Sequence, residues 1–298
     1  MDLNLKSWDS RAVLVQAVEA GMKVVRENQG GHLPSDAEIK DDKTLVTVTD
    51  HKSEEAILNI LQANFTDIQV WGEESGVSGG IGDIVFLIDP LDGTRAFANG
   101  MATSTVIVAV YDIKKNEVIA TVIGEPATGK IWSAFGKMAT WHEYLGTNRV
   151  DPCRVWPGEL SEQTTVFLDV SHGFTRKGRQ ILTDEQFARL FAKLNGQMKL
   201  AIPGSNGLIQ ALVANGGQKV VGSITTAIGG PWDVCGVKLV LNAGGAARAF
   251  SAIPLTTGDT GLEEKDPLDV MSYDILICGN SKRTVDDLYW ILKNALYY

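Results

Sequence analysis

Residues 84–94, IVFLIDPLDGT, restrict the fold of this chain more than any other stretch. Residues 84–88 form a continuous apolar run that reads as a buried strand. Asp89 and Asp92 follow at once, separated by Pro90 and Leu91. A carboxylate at the end of a buried strand is desolvated, and a desolvated charge needs a counter-ion. Pro90 fixes the turn and Gly93 loosens it, so the two carboxylates can converge on one point. Gly93 and Thr94 then offer backbone N–H groups at the start of a short helix, a ready anion site. Acid oxygens beside an anion pocket point to a hard divalent cation bridging carboxylates and a phosphate.

The surrounding pattern predicts two domains. In the first, residues 1–148, an amphipathic helix is expected over residues 10–27, capped by Asp9 or Ser10 and ended by Gly30 and Gly31. A charged loop (34–43), a strand (44–49), a second helix (50–63) and a strand (67–71) lead into Gly72-Glu73-Glu74-Ser75. A glycine-rich loop is expected over residues 76–82, and three further strands over 105–111, 117–123 and 130–135. Consecutive strands behind two helices predict an α+β domain on a largely antiparallel sheet. Residues 146–158, with Pro152 and Pro157, read as the boundary. In residues 149–298, strands at 165–170, 199–202, 219–221 and 275–278 mingle with helices at 184–194, 206–214, 232–243 and 284–296. That alternation reads as α/β. Residues 254–272 read as an acidic, irregular loop.

Charge and composition exclude several classes. The net charge of −9 argues against a nucleic-acid polymer as partner, since phosphate backbones are held by an excess of Lys and Arg. Three scattered cysteines (Cys153, Cys235, Cys278) form no C-x-x-C pair and point to a reducing compartment. The start MDLNLKSWDSR lacks a basic segment followed by an apolar core, and residues 200–218, though uncharged, are too rich in Gly, Asn and Gln to span a membrane. A cytoplasmic location is therefore expected. None of the four histidines has a zinc spacing. No G-x-x-x-x-G-K-[ST] loop supports nucleoside triphosphate hydrolysis.

Taken singly, each acidic motif has an ordinary reading. Glu73-Glu74 is a solvated turn, Asp89 and Asp92 an Asx turn, Asp233 after Gly229-Gly230-Pro231-Trp232 a helix cap, and Asp42 a surface acid. Taken together, GEES, DPLDGTRAF and PWDVCGVKLVLNAGG, in this order and spacing, resemble the inositol monophosphatase superfamily. The resemblance runs from KDDKTLVTVTD at residues 40–50 to Gly244-Gly245. It implies a layered α-β-α-β-α sandwich and a magnesium-dependent, often lithium-inhibited phosphomonoesterase of small phosphorylated metabolites, with two or three Mg2+ ions per site. By that resemblance Glu73, Asp89 and the Leu91 carbonyl hold one magnesium, and Asp89, Asp92 and Asp233 hold a second. Thr94 with Glu73 prepares the attacking water, and Asp42 supports a third, looser metal. Gly93 and Thr94 bind phosphate through N–H groups. Gly204 and Ser205, which resemble the family's G-S-A-A helix start, border the substrate cleft with Asp92 and Asp233. Thr47, Asp50 and Glu74 form an outer layer that steadies these acids. Homodimers are common in the family.

The substrate stays open between two readings. The first is an inositol monophosphate or a similar polyol or sugar phosphate. Against a strict inositol specificity, Thr226 stands near the position of the glutamate that contacts ring hydroxyls. Asn242 replaces a glutamate frequent before Ala-Gly-Gly, with little effect expected on the metals. The second is a 3′(2′),5′-bisphosphate nucleotidase of the 3′-phosphoadenosine 5′-phosphate type, which Ser171-His172 resembles. Arg176, Lys177 and Arg179 follow closely, although a solvated basic turn accounts for them too. A reading of another class is a non-catalytic sensor of phosphometabolite or metal; the complete set Glu73, Asp89, Asp92, Thr94 and Asp233 speaks against it.

Overall fold

The computed structural model describes residues 7–29, 38–39, 45–147, 149–169, 181–226, 228–254 and 260–297. Two compact units result. One comprises residues 1–152 together with Gly204–Leu208, the other Cys153–Pro203 and Ile209–Tyr298.

The first unit begins with α1 (Trp8–Asn28). Its cap is Ser7, whose hydroxyl accepts the Asp9 N–H at 3.2 Å, rather than the expected Asp9 or Ser10. Asp9 instead lies in the first turn, where its charge suits the helix dipole, and Ser10 is buried. A two-residue ladder joins β1 (Glu38–Ile39) to β2 (Leu45–Val46). The strand expected over residues 44–49 ends there because Thr47 caps α2 (Val48–Asn64). Thr47 accepts the Thr49 N–H, while its own N–H and O–H donate to the Asp50 carboxylate, so the orphan N–H groups of the first turn are met locally.

Next come β3 (Gln69–Gly72), β4 (Gly76–Gly79), β5 (Ile84–Asp92), the single-turn α3 (Thr94–Ala98), β6 (Thr105–Asp112), β7 (Glu117–Glu125), β8 (Lys130–Phe135), β9 (Trp141–Tyr144) and β10 (Val150–Pro152). They form one sheet in the order β10-β9-β8-β7-β6-β5-β3-β4. Only β3 and β5 pair in parallel; the other neighbours are antiparallel. The strand β4 replaces part of the glycine-rich loop. Its residues are exposed throughout and among the described residues it pairs with β3 alone, so it carries no apolar pattern from which to be read. Met22, Val25, Ile57 and Leu61 of the two long helices pack with Phe86, Ile88, Val106 and Val108 of the sheet into one core. Beyond Ile84, every residue of β5 is buried, including both aspartates.

The second unit contains β11 (Thr165–Asp169), α4 (Asp184–Asn195), β12 (Lys199–Ala201), most of α5 (Asn206–Asn215), β13 (Val220–Thr225), α6 (Val237–Asn242), β14 (Ala246–Pro254), β15 (Thr260–Lys265), β16 (Ile275–Gly279) and α7 (Lys282–Tyr297). Its sheet runs β12-β11-β13-β16-β14-β15. Here β11 lies parallel to both β12 and β13, and the remaining pairs are antiparallel. The expected acidic loop holds a strand, β15, which pairs with β14 and sets Leu262 against the core. The helix expected over residues 232–243 starts as a 3-10 turn, Pro231–Val234, and becomes α-helical only at Val237, after Gly236. Among the described residues no helix is long and apolar enough to cross a membrane.

Candidate functional site

The parallel pairing of β3 with β5 brings the carboxyl ends of two strands side by side. Gly72 is in register with Ile88, and the Glu73 N–H donates to the Ile88 carbonyl at 3.0 Å. Glu73 therefore leaves its strand next to the point where Asp89 begins the acidic turn. In the ladder with β6, Asp89 faces Ile107 and Asp92 faces Thr105, so β5 carries one extra residue between them. Such a bulge bends the strand and re-aims its side chains, and it tolerates Pro90, which has no N–H to give the ladder. The turn is fixed from two sides: Asp89 Oδ1 accepts the Leu91 N–H at 3.0 Å, and the Pro90 carbonyl accepts the Ser53 hydroxyl at 2.7 Å. Gly93 then adopts φ +86° and starts α3; this left-handed conformation is one that glycine enters without penalty.

Asp92 is 5% exposed and is held by four neutral donors. Its Oδ2 accepts the Thr105 hydroxyl at 2.7 Å, the Ser205 hydroxyl at 2.6 Å and the Gly207 N–H at 2.7 Å. Among the described residues, its Oδ1 accepts the Asn206 N–H alone, at 3.1 Å. Burial pushes its proton affinity up, partly offset by hydrogen bonds from Ser205, Thr105, Gly207 and Asn206. Oδ2 is thus crowded by donors, while Oδ1 keeps acceptor capacity for a cation. Ser205, Asn206 and Gly207 belong to the first unit, although more than a hundred residues separate them from Asp92 in the chain.

Thr94 and Asp50 form a second group. The single hydroxyl hydrogen of Thr94 has two acceptors in reach, Asp50 Oδ1 at 3.0 Å and the Leu91 carbonyl at 2.9 Å. Whichever takes it, the threonine oxygen keeps lone pairs to accept a hydrogen bond from a third group. Asp50 is fully buried, and desolvation raises its pKa against the lowering effect of its bonds to Thr47. The nearby charge of Glu74 raises it further. Asp50 thus touches Thr94 directly as well as capping α2 through Thr47.

Among the remaining candidates, Glu73 and Glu74 are half-buried in the turn after β3. In the second unit, Asp233 is buried in the 3-10 turn; its Oδ2 accepts the N–H groups of Gly229 and Gly230, and its carbonyl accepts Gln210 Nε2 at 2.7 Å. Thr226 is buried just beyond β13, with its N–H on the Asp169 carbonyl. Asp42, Ser171, His172, Arg176, Lys177 and Arg179 lie outside the described residues.

Sequence reasoning missed Ser53, Glu54 and Thr105. A signal for Glu54 was present: residues 50, 54, 57 and 61 share one stripe of α2, and Ile57 and Leu61 mark that stripe as the inward one. No comparable signal existed for Thr105, one polar residue in a strand.

The profile of the inositol monophosphatase family matches residues 8–289. The fructose-1,6-bisphosphatase/inositol-1-monophosphatase of Aquifex aeolicus is 27% identical over 259 residues, covering 86% of this chain and 90% of its own. The Nus factor SuhB of Haemophilus influenzae is 26% identical over 243 residues, covering 80% of this chain and 85% of its own. The crystal structure of the extragenic suppressor protein suhB from Bartonella henselae superimposes with a TM-score of 0.77 at 21% identity, covering 96% of this chain and 98% of that one. At that identity the likeness establishes the fold: helices and mixed sheets in layers, as the sequence motifs imply.

Proposed function

Because the chain belongs to the inositol monophosphatase family, whose members are phosphatases of small phosphorylated substrates, we propose that it is a magnesium-dependent phosphomonoesterase. Its substrate, in this reading, is an inositol monophosphate or a similar polyol or sugar phosphate. The observation that carries the reading is Asp92, a buried carboxylate whose described hydrogen-bond donors are all neutral and whose Oδ1 keeps room for a ligand. A buried anion among neutral donors fits a cation, and an all-oxygen donor set fits a hard one such as Mg2+. Glu73, Asp89 and the Leu91 carbonyl would hold one ion, and Asp89, Asp92 and Asp233 a second. Bound there, magnesium supplies polarisation of the phosphoryl oxygens and an acidified water.

The chain's own residues do the rest. Gly93 and Thr94 present N–H groups to the phosphate oxygens. Thr94 gives its hydrogen to Asp50 or Leu91, so its oxygen accepts a hydrogen from the attacking water and aims the water at phosphorus. The Glu73 carboxylate receives the water's proton as the new P–O bond forms. The ester P–O bond breaks, and the leaving oxygen takes a proton from solvent, giving an alcohol and inorganic phosphate.

The test is phosphate release from inositol 1-phosphate, fructose 1,6-bisphosphate, histidinol phosphate and 3′-phosphoadenosine 5′-phosphate, with magnesium, EDTA and lithium arms. Turnover of a polyol or sugar phosphate that EDTA abolishes supports the reading. Preference for the adenosine bisphosphate transfers it to the nucleotidase, and metal-independent turnover sinks it.

A further inference from the structure

Helix α2 places Asp50, Ser53 and Glu54 at the i, i+3, i+4 spacing that puts side chains on one face, and all three are buried. Each reaches a different turn. Asp50 takes the Thr94 hydroxyl, and Ser53 donates to the Pro90 carbonyl. Glu54, 4% exposed, lies against residues 73–75, the short connection from β3 to β4 that carries Glu73. Its Oε1 accepts the Ser75 hydroxyl at 3.2 Å, and the backbone N–H groups of Glu74 and Ser75 favour its charged form.

The backbone makes way for this carboxylate. A Cβ placed on Gly72 would come within 1.8 Å of Glu54 Oε1, so Gly72 and Glu54 are a matched pair. Burial of the acid is costly and lifts its pKa, with Glu74 lifting it further. Volume alone does not call for a charge here. Only a carboxylate accepts several hydrogen bonds while offering no donor of its own; a glutamine amide would turn N–H groups toward N–H groups. The peptide on one side of Glu73 is fixed by its N–H on Ile88, and on the other side Glu54 holds the Ser75 hydroxyl beneath the turn. With both flanks pinned, the direction in which the Glu73 side chain leaves the backbone is set.

We infer that Glu54 is a positioning residue for Glu73: it anchors the turn 73–75 from beneath, and so sets the metal affinity of the site without touching the ion. This rests on the proposed reading of Glu73 as a metal ligand. The experiment is titration of the whole chain with Mn2+, followed by electron paramagnetic resonance, for the wild type, Glu54→Gln and Ser75→Ala. Metal-free melting curves are recorded alongside, and turnover is measured at saturating Mg2+. Loss of an outer partner of a metal ligand typically weakens metal binding by about 10–100-fold. Glu54→Gln is expected to fall in that range, with turnover largely restored at saturating metal. Ser75→Ala, which removes one of the donors, should show a smaller loss in the same direction. Unchanged Mn2+ affinity in both variants overturns the inference, as does a fall in turnover at saturating metal with affinity intact. If Glu54→Gln does not melt cooperatively, Ser75→Ala decides alone: weakened binding supports the inference and wild-type binding overturns it. A wild type that binds no Mn2+ refutes the metal reading itself, a result distinguishable from failure of the Glu54 inference.

Discussion

Asp50, Glu54 and Asp92 in the first unit, and Glu264 and Asp286 in the second, are all hydrogen-bonded acids, yet their proton affinities move in opposite directions. The first three are raised, with desolvation the largest cause. The last two are lowered, Glu264 chiefly by the Arg248 side chain and Asp286 chiefly by that of Lys282. Arg248 itself bonds to Glu264 through Nε and Nη2, reaches Asp286 through Nη1, and lies over the Tyr289 ring at 3.9 Å. Hydroxyl and amide donors orient a buried carboxylate but leave its charge; a guanidinium neutralises it. The second group is a finished structural ion pair. Among the described residues the first three bond to neutral donors alone, which leaves Asp92 suited to a cation.

The sharpest way to break this comparison is Asp92→Asn. It removes one charge with little change of volume, and turnover should fall below about one-hundredth of wild type, beyond the usual loss for an outer partner alone. Activity near wild type would end the metal assignment. Thr94→Ala comes next. Its kcat should drop by about 10²–10⁴-fold, the range for lost proton-transfer assistance, with the half-saturating magnesium concentration nearly unchanged. The reverse split would make Thr94 a support for the metal.

A pH series sharpens the contrast. An acid whose folded pKa is raised binds more protons folded than unfolded, so its contribution to stability falls as pH climbs from the unfolded value toward the folded one. For Asp50 and Asp92 that window opens at 3.8 and for Glu54 at 4.5. Calorimetric melting in EDTA should therefore show these acids eroding stability above that range, and magnesium should reduce the share that comes from Asp92, where the cation competes with the proton. Glu264 and Asp286 follow the opposite rule: their contribution is present above 4.5 and 3.8 and is lost as pH falls below. The smallest effect is expected from Arg248→Ala. Its partners are partly exposed, and the loss should be about 1 kcal/mol of stability, mostly from the ring contact, with magnesium dependence untouched. A change in metal affinity in that variant would show that the two groups are not independent.

Much of this was legible in the chain itself. The apolar run before Asp89, the order of the acidic motifs and the periodicity of the long helices all report local physics, and they placed the acid-bearing turns at strand and helix ends. What escaped is equally local in cause. Thr47 alternates like a strand residue but serves as a cap. Glycines hid β4, because an exposed edge strand has no inward face to betray it. Glu54 was passed over because helical glutamates are usually solvated, though its stripe argued otherwise. The donors to Asp92 came within reach only through the family resemblance, which sets Gly204 and Ser205 at the cleft; nothing near Asp92 itself announces that Ser205, Asn206 and Gly207 will complete it.

That last feature bears on how the molecule can be made and cut. The first unit is not a continuous stretch, since it includes Gly204–Leu208. During synthesis, the Asp92 turn must wait until about the two-hundredth residue has emerged before its helix-end and serine donors arrive. A fragment ending at Pro152 would hold both β5 aspartates and the whole first sheet, and yet leave Asp92 with Thr105 as its one remaining described donor. Supplying the missing segment as a separate peptide would then be a complementation experiment, in which five residues restore what a severed chain had lost.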